Sequence, residues 1–587
     1  MSVLAALARA CARLPDAPPF GFSTEKIGFC IVLNSDGMVA EKPIDLRDTD
    51  RKRSPRALMV PQAVKRTAGI SPNFLWDKSA YVLGVTAGEG KRTAQEHAEF
   101  RRFHEERLAG TDDDGLLALL RFLSAWTPEA FAPPLWPEDL LDQNLVFALA
   151  SERRERFLHD RPAARALWER LKAEGAAEAR ICLVTGDPSP VARLHPSVKG
   201  VWGAQSSGAS LVSFNLDAFA SYGHEQGENA PVSEAAAFAY TTALNRFLER
   251  DSGHRIQIGD ASTVFWAEAS EPAAEAEAET LFAAFLDPAA ASAAEDAAAA
   301  RRIGVQLKRI REGRRLDEVA PHLPGVRFHV IGFAPNAARL SIRFAWADDF
   351  GRLTANYQRF LADTHVSPPP RDGFPPLWRW LLELAAQGKR ENVPPTLAGD
   401  WMRSILAGTP YPLTLLTLAL VRIRADGRLD ALRAGMMRAV LVRNFNREVP
   451  VALDPDCDDR GYLLGRLFAV YEEIQRAALG GQVNATIRDK FYGSASATPQ
   501  KVFSLLDRGS ANHLQKLRKL NPGRSVNLEK QLAAIMERMS PGATPYPVSL
   551  PMAEQALFGL GYYHQRSDFF RKRPEAGAEP EPQETVA

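Results

Sequence analysis

The fold class follows from residues 327–346, which read RFHVIGFAPNAARLSIRFAW. Apolar side chains alternate with other residues at Phe328 and Val330, and again at Leu340 and Phe344. Period-two alternation is typical of β-strands, and the Pro-Asn pair between the two runs favours a turn. We therefore expect a strand, a turn and a second strand here, which argues against an all-helical protein.

A second β element is expected nearer the N-terminus. The runs GFCIVL and MVAEKPIDL flank Asp36-Gly37, and an Asp-Gly pair accepts the positive φ angles of a tight hairpin turn. The run YVLGV (81–85) also resembles a strand, whereas residues 93–175 have the apolar spacing of helices. Residues 261–300 are rich in Ala and Glu, which predicts a solvated helical excursion or a flexible insertion.

The C-terminal part is expected to be helical. Residues 367–377 are rich in proline and predict a stiff linker, followed by a helical connecting region over residues 378–455. Residues 456–574 predict a basic helical bundle, and residues 575–587 an acidic, disordered tail. One buried helix face in this bundle is formed by Leu463, Leu464, Leu467, Phe468, Tyr471 and Ile474. The predicted class is therefore α+β: a mixed N-terminal region (1–366) with several β elements, followed by an all-helical C-terminal bundle.

Charge is segregated along the chain. The 587 residues carry a formal net charge of only +1, so any affinity for nucleic acid must rest on local surplus. Residues 461–574 carry 16 Lys and Arg against 8 Asp and Glu, while residues 271–300 carry acids and no base.

No apolar run approaches the ~18 residues that span a bilayer, and the first residues favour an amphipathic helix over a signal peptide. Four scattered cysteines indicate a reducing cytoplasm.

Motifs for catalysis are incomplete. The run YVLGVTAGEGKR has the general form of a phosphate-binding loop, but the glycine spacing and the residue after Lys91 do not fit. His159-Asp160 is the dipeptide of metal-dependent phosphohydrolases, which need further ligands. The acidic residues of 454–459 are expected to solvate a loop. A metal-dependent nuclease using His159 and Asp160 remains the alternative, and a scaffold that binds only proteins is a third class.

The most unusual passage is residues 198–233, VKGVWGAQSSGASLVSFNLDAFASYGHEQGENAPVS. Glycines let the backbone approach a ligand closely, and amide side chains both donate and accept hydrogen bonds. Such residues suit base edges and phosphates, with Lys199 and Tyr222 available for backbone contact or stacking. The alternative is a turn-rich loop that satisfies its own backbone. The candidates for DNA contact in this passage are Gln205, Ser207, Asn215, Tyr222, Gln226 and Asn229.

Several motifs, in order, resemble one known family. Besides the glycine-rich passage they are NFLWDKSAYVLG (73–84), AFAYTTALNRFL (237–248), APNAARLSIRF (334–344), GTPYPLTLL (408–416), GYLLGRLFAVYEEIQRAALG (461–480) and NATIRDKFYGSASATPQKVF (484–503). They cover almost the whole chain. They resemble the large subunit of the type I-C CRISPR Cascade surveillance complex, the c-type member of the large-subunit family numbered eight, also called the Dvulg subtype.

The resemblance implies a non-catalytic subunit at the 5′ handle of the CRISPR guide RNA, beside backbone, handle-binding and small subunits. It implies that the chain reads the protospacer-adjacent motif in double-stranded DNA and promotes unwinding and R-loop formation, while guide pairing supplies most sequence specificity. It also implies recruitment of a separate helicase-nuclease for antiviral defence. No catalytic residue, cofactor, metal ion or membrane partner is expected.

Two further groups complete the predicted sites. Asn73 and Lys78 flank Trp76 in the first motif: Asn73 is a candidate for base contact, Lys78 for phosphate contact, and Trp76 for buried support. The resemblance implies that the C-terminal bundle corresponds to the small subunit, whose basic surface would hold a displaced strand; a solubilising surface is the alternative. The candidates for backbone or displaced-strand contact are Arg51, Lys52, Arg53, Lys199, Arg488, Lys490, Lys501, Lys516, Arg518 and Lys519.

Overall fold

A computed structural model describes residues 2–15, 17–48, 53–64, 66, 69–174, 179–287, 297–480, 485–539 and 545–571. The chain divides into two compact units. The N-terminal unit comprises residues 1–199 and 206–246, and the C-terminal unit comprises residues 200–205 and 247–587.

The N-terminal unit contains eight strands and six α-helices among its described residues. The strands are β1 (Phe22–Ile27), β2 (Phe29–Leu33), β3 (Ile44–Asp45), β4 (Arg56–Pro61), β5 (Trp76–Lys78), β6 (Asn144–Leu149), β7 (Ala179–Ile181) and β8 (Pro188–Pro190). The helices are α1 (Val3–Arg13), α2 (Ser79–Val82), α3 (Thr93–Arg107), α4 (Asp114–Ala125), α5 (Pro162–Glu174) and α6 (Glu234–Phe247), the last ending at the boundary between the units.

The main sheet of this unit is buried on both faces. Its strand order is β3-β2-β6-β5, with β2 and β6 parallel in the centre. Ile31 and Phe147 face one hydrophobic cluster, which includes α4, while Val32 and Val146 face a second. A parallel strand covered on both sides has a continuous apolar sequence instead of an alternating one. This explains the runs FCIVL and LVFAL.

The expected hairpin around Asp36-Gly37 is confirmed. β2 pairs antiparallel with β3, and Leu33 bridges Val39 across the turn. Gly37 has a φ of 89°, the left-handed conformation that the turn requires.

Two predictions in this unit are wrong. Residues 144–149 lie inside the stretch predicted to be helical but form the central strand β6, because a short run buried on both faces gives no helical or strand periodicity. The run YVLGV is not a strand: residues 79–82 form the short helix α2, and β5 ends just before it.

The C-terminal unit contains four strands and thirteen α-helices among its described residues. The strands are β9 (Arg255–Ile258), β10 (Ala261–Glu268), β11 (Arg327–Asn336) and β12 (Arg339–Asp349). The helices are α7 (Pro272–Leu286), α8 (Ala297–Arg311), α9 (Leu316–Val319), α10 (Phe350–Thr364), α11 (Leu377–Leu382), α12 (Pro395–Ala407), α13 (Leu413–Asp426), α14 (Ala431–Phe445), α15 (Arg460–Leu479), α16 (Ile487–Ala497), α17 (Pro499–Leu520), α18 (Pro522–Glu537) and α19 (Met552–Phe569).

The strand-turn-strand unit of residues 327–346 is confirmed. β11 and β12 pair antiparallel up to Asn336↔Arg339, so the turn lies at Ala337-Ala338, two residues beyond the predicted position. Ala337 has a φ of 53°, as a two-residue hairpin turn demands. The sheet is a meander with the order β12-β11-β10-β9.

The prediction for residues 261–300 is wrong over its described part. Residues 261–268 form the buried strand β10, and α7 packs Phe282 and Phe285 into the core. The aromatic and β-branched run VFW favours a strand, and Ala274, Ala278 and Ala284 of α7 are buried with the two phenylalanines. Residues 288–296 lie outside the described part of the chain.

One hydrophobic core extends through the C-terminal unit, from the sheet to α19. The predicted boundaries at residues 366, 377 and 455 fall inside this unit, and the core continues across them. The proline-rich stretch is non-helical as expected, since α10 ends at Thr364 and α11 begins at Leu377. The predicted acidic tail, residues 575–587, lies outside the described residues. The α+β class, with strands before a helical C-terminal part, is confirmed.

The predicted buried face of α15 is confirmed, and it meets α19 at unusually close range. Leu463, Leu467 and Phe468 are fully buried. A Cβ atom added at Gly465 would lie 2.0 Å from the Phe558 carbonyl oxygen, and one at Gly561 would lie 2.1 Å from the Tyr462 carbonyl oxygen. Glycines on both helices therefore allow the two backbones to touch.

Candidate nucleic-acid interface

Apart from residues 200–205, which belong to the C-terminal unit, the glycine-rich passage forms a polar surface of the N-terminal unit with little regular structure. It is held in place at two points, where Val191 bridges Ser233 and Val198 bridges Ala209. The Lys199 backbone N–H also donates to the Asn245 side-chain oxygen at 2.7 Å, which ties the passage to α6. These contacts fix the ends of the loops while their tips face solvent.

The tip of one loop presents Tyr222. This side chain is 99% exposed, and the residue has a φ of 53°, a left-handed conformation that a bulky residue rarely adopts. A large aromatic side chain exposed in this way has nothing to pack against within its own unit. It is therefore available to a partner, and a flat aromatic face suits stacking.

Asn229 holds the Tyr222 loop from inside. Its side-chain oxygen accepts a hydrogen bond from the Ser221 backbone N–H at 2.8 Å. Its side-chain nitrogen donates to the carbonyl oxygens of His224 at 3.2 Å and Gln226 at 3.0 Å. All three bonds close the loop on itself, so this predicted contact residue positions Tyr222.

Gln226 and Gly227 fix the other end of the same loop. A Cβ at Gly227 would lie 1.9 Å from the Ala192 carbonyl oxygen, so only glycine fits there. Gln226 has a φ of 47°, and its side-chain oxygen is buried without a hydrogen-bond donor among the described residues. In this conformation the Gln226 amide faces inward, beside His195.

The other predicted residues of the passage lie at the surface. Ser207, Asn215 and Lys199 are exposed in the N-terminal unit, and Gln205 is exposed in the short segment assigned to the C-terminal unit. Tyr222, Gln226 and Asn229 share one loop.

Asn73 and Lys78 flank β5 and differ in exposure. Asn73 is 4% exposed; its side-chain oxygen accepts from the Val64 N–H at 2.9 Å, and its own N–H donates to Asp77 at 2.8 Å. Burial raises the pKa of Asp77, although Arg66 pairs with its carboxylate. Trp76 is buried as expected, and Lys78 is exposed. Of the two candidates, Lys78 offers its side chain to a ligand.

The basic loop after β3 is only partly described. Arg51 and Lys52 lie outside the described residues. Arg53 pairs with Asp45 at 2.9 Å and with Asp139 at 2.7 Å. Arg47 joins the same two carboxylates, and its hydrogen bond to Asp45 lowers the pKa of that carboxyl. The Arg53 guanidinium is therefore already paired with two carboxylates of the same chain.

A row of four cations lies along α17 in the C-terminal unit. Since a helix turns by about 100° per residue, Lys501, Arg508, Lys516 and Lys519 fall within about 80° of each other around the axis, over a length of about 27 Å. All four are exposed, and none has a carboxylate partner within the described ranges. We call them the α17 row. The sequence prediction missed Arg508, although its spacing of seven residues from Lys501 would have identified it.

The remaining predicted cations lie off this row. Arg518 pairs with Glu529 at 2.7 Å and lies about 100° around the helix from Lys519. Arg488, on α16, is half-buried with its guanidinium 5.6 Å from the centre of the Tyr562 ring. Lys490, also on α16, is exposed.

The residues of the nuclease alternative are engaged in local contacts. His159 is 1% exposed, stacks on Phe157 at 5.4 Å, and has its pKa lowered to about 4 by burial. Asp160 pairs with Arg165 at 3.0 Å. In the acidic loop, Arg538 pairs with Asp458 at 2.5 Å and also with Asp456.

The described ranges contain neither a cluster of metal-ligating side chains nor a membrane-spanning helix. No group of three or more His, Cys, Asp or Glu residues there is placed to hold a metal ion. None of the helices in those ranges is both long and apolar enough to cross a membrane.

Comparison with known proteins identifies the family. The model of the family described as CRISPR-associated protein (Cas_Csd1) matches residues 4–570, which is nearly the whole chain. Comparison with curated proteins found no match. A match of this extent covers both compact units and every motif of the resemblance described above. The chain therefore belongs to the Cas_Csd1 family of CRISPR-associated proteins, the large subunits of Cascade complexes.

Proposed function

We propose that this chain is the large subunit of a type I-C surveillance complex and reads the protospacer-adjacent motif in double-stranded DNA. In this role it sits in the cytoplasm at the 5′ handle of the guide RNA, with the backbone, handle-binding and small subunits. It promotes unwinding and R-loop formation and helps to recruit a helicase-nuclease. Membership of the family supports a role in a CRISPR complex. The exposed residues on the N-terminal unit support a contact with DNA.

The observation that carries the proposal is the Tyr222 loop. Opening a duplex exposes the faces of unstacked bases, and an aromatic side chain that stacks on such a face gains about 1–3 kcal/mol per base. Tyr222 is 99% exposed at the tip of a loop closed by Asn229, so it can meet a base without rearrangement of the core. Lys78 and Lys199, both exposed on the same unit, suit contacts with phosphate.

The α17 row supports the second part of the proposal. A single strand displaced during R-loop formation is a flexible polyanion, and unpaired cations along one helix face attract it through counterion release. Lys516 and Lys519 are exposed and lack carboxylate partners within the described residues. The row thus suits a contact with the strand's backbone that does not depend on base sequence.

We also propose that the chain does not cut DNA itself. The test incubates the purified chain with DNA and Mg²⁺ or Mn²⁺, and compares it with the variant His159→Gln. Cleavage by the wild-type chain that the variant abolishes would establish the nuclease alternative instead.

The reading function is tested by binding of labelled duplexes to the reconstituted guide complex, with and without this chain. The duplexes differ only in the flanking motif. We expect motif discrimination to disappear without the chain and to weaken in Tyr222→Ala, while Tyr222→Phe, which keeps the ring, retains it. Equal discrimination without the chain would contradict the proposal and favour a recruitment scaffold.

A further inference from the structure

The C-terminal unit encloses a cavity of about 460 Å³ that plays no part in the proposed function. Its walls come from the ends of α7 and α8, from α10 and α11, and from the proline-rich stretch. Five aromatic side chains contribute to them: Phe285, Tyr357, Phe360, Phe374 and Trp380. Phe374 is 43% exposed, so the cavity opens to solvent beside it. The volume is that of a small-molecule site and exceeds what one side chain would fill.

One cation lies in this apolar wall. The Arg311 guanidinium sits 4.7 Å from the centre of the Phe374 ring and donates to the Tyr357 hydroxyl at 3.3 Å and the Ala284 carbonyl oxygen at 3.4 Å. It has no carboxylate partner in the part of the chain that the structure describes. Glu312 also lines the cavity, but its side chain is 56% exposed and lies 3.8 Å from Lys308. A half-buried charge in apolar surroundings is stabilised by an opposite charge.

The Gln358 and Thr364 side chains of the cavity are already engaged, and the His365 side chain, which also lines the cavity, is exposed to solvent. The Gln358 amide nitrogen donates to the carbonyl oxygens of Ile310 at 2.9 Å and Arg314 at 2.7 Å. The Thr364 hydroxyl donates to the Phe360 carbonyl oxygen at 2.8 Å. A nucleobase, with several polar atoms, would lose its hydrogen bonds to water here and gain few in return. The lining therefore selects an occupant that is apolar except for one anionic group.

We infer that this cavity is a binding site for a free amphiphilic organic anion, with its apolar body among the aromatic side chains and its anionic group at Arg311. A guanidinium and a carboxylate form charge-assisted hydrogen bonds, which fix the orientation of the ligand. The apolar body supplies most of the binding free energy through burial. The inference is independent of DNA binding.

The test uses the full-length chain and two probes with the same apolar body and opposite charge, decanoate and decyltrimethylammonium. Isothermal titration calorimetry should show one-to-one binding of decanoate and weaker binding of the cation. The variant Arg311→Met keeps an unbranched apolar stem but removes the guanidinium and its charge, and it should weaken decanoate binding by about tenfold while leaving binding of the cation no weaker. Equal affinity for both probes in the wild-type chain would overturn the inference.

A matched pair of tryptophan substitutions locates the binding. Ala362 is exposed on α10 and lines the cavity, so Ala362→Trp should block decanoate binding without entering the core. Ala355 is exposed on the same helix and does not line the cavity, so Ala355→Trp should leave binding unchanged. Equal effects of the two substitutions would overturn the inference, since the probe would then bind elsewhere.

The chain's own residues 288–296 are the competing occupant, because only Asp287 separates them in sequence from the cavity-lining Leu286. Replacing them with a Gly-Ser linker of equal length separates the two cases. If decanoate binds the wild-type chain and this variant alike, the cavity takes an external ligand. Binding only in the variant would show that the segment fills the cavity, and would overturn the inference.

Discussion

Tyr222 and Asn229 have different roles within one loop, and their substitution separates these roles. Tyr222 reaches into solvent, whereas the Asn229 side chain makes three hydrogen bonds to the loop's own backbone. Amide side chains of the kind that the sequence predicts to contact bases, such as Asn229, therefore also stabilise the conformation of the loop. Asn73 is a second example, since its amide supports the backbone before β5.

We expect Tyr222→Ala to weaken binding of the guide complex to motif-bearing duplex by about 1–3 kcal/mol, the value of one base–aromatic stack. Asn229→Ala should weaken it comparably, because the loop loses its closure. If Asn229 acts only through the loop, the double variant should lose little more than either single one. Fluorescence binding assays on the four proteins measure this. Additive losses would instead assign Asn229 a direct contact with DNA.

At the scale of whole elements, the prediction succeeded where large apolar residues recur with a regular period and failed where apolar residues run continuously. The β11–β12 hairpin and the buried face of α15 were predicted correctly, because their large apolar residues recur at strand and helix spacing in the sequence, although most of β11 and the first half of α15 are buried on all sides. β6 and β10 were missed because they are buried on both faces, which removes the periodic signal.

For the candidate site, the sequence identified the surface passage and the basic helix. It did not identify which amides are used internally, since that depends on the folded backbone.

The α17 row should dominate the salt dependence of binding to single-stranded DNA. Changing Lys501, Arg508, Lys516 and Lys519 to Ser should reduce the slope of log K against log salt concentration by about 0.7 per cation, or about 3 in total. Arg518→Ser is the control on the same helix, because Arg518 lies off the row and pairs with Glu529. Titrations at several salt concentrations measure the slope. An unchanged slope in the fourfold variant would mean that the row only solubilises the bundle.

The contact between α15 and α19 predicts opposite effects for the same substitution at two helix glycines. Gly465→Ala should destabilise the C-terminal unit by about 1–3 kcal/mol, because the new methyl group would meet the Phe558 carbonyl oxygen. Gly509→Ala, on α17, meets nothing within 4 Å and should stabilise by about 0.5–1 kcal/mol through helix propensity. Denaturant unfolding monitored by circular dichroism compares them. Stabilisation by both would contradict the close helix contact.

At the scale of the whole molecule, each compact unit has its own hydrophobic cores and its own buried histidines, of which His104 and His564 are the clearest pair to compare. His104 in the N-terminal unit is fully buried; its Nδ1 donates to the Phe100 carbonyl oxygen at 2.8 Å, and its Nε2 accepts from the Leu75 N–H at 2.9 Å. The Leu75 donor requires an unprotonated Nε2. His564 in the C-terminal unit is 1% exposed. Burial lowers the pKa of each imidazole to about 4.

These depressed pKa values make both units acid-sensitive in one pH window. Between pH ~6.5 and pH ~4 the unfolded chain binds protons at these histidines and the folded chain does not, so stability falls as the pH falls. The expected slope is up to about 1.4 kcal/mol per pH unit for each group. We expect two unfolding transitions between pH 7 and pH 5: His104→Gln should flatten the pH dependence of one, and His564→Gln that of the other. Because each variant is compared with the wild-type chain, the contributions of other buried titratable groups, such as His159 and Asp77, cancel. If either substitution changed both transitions equally, the units would unfold as one, and their separate cores would not be energetically independent.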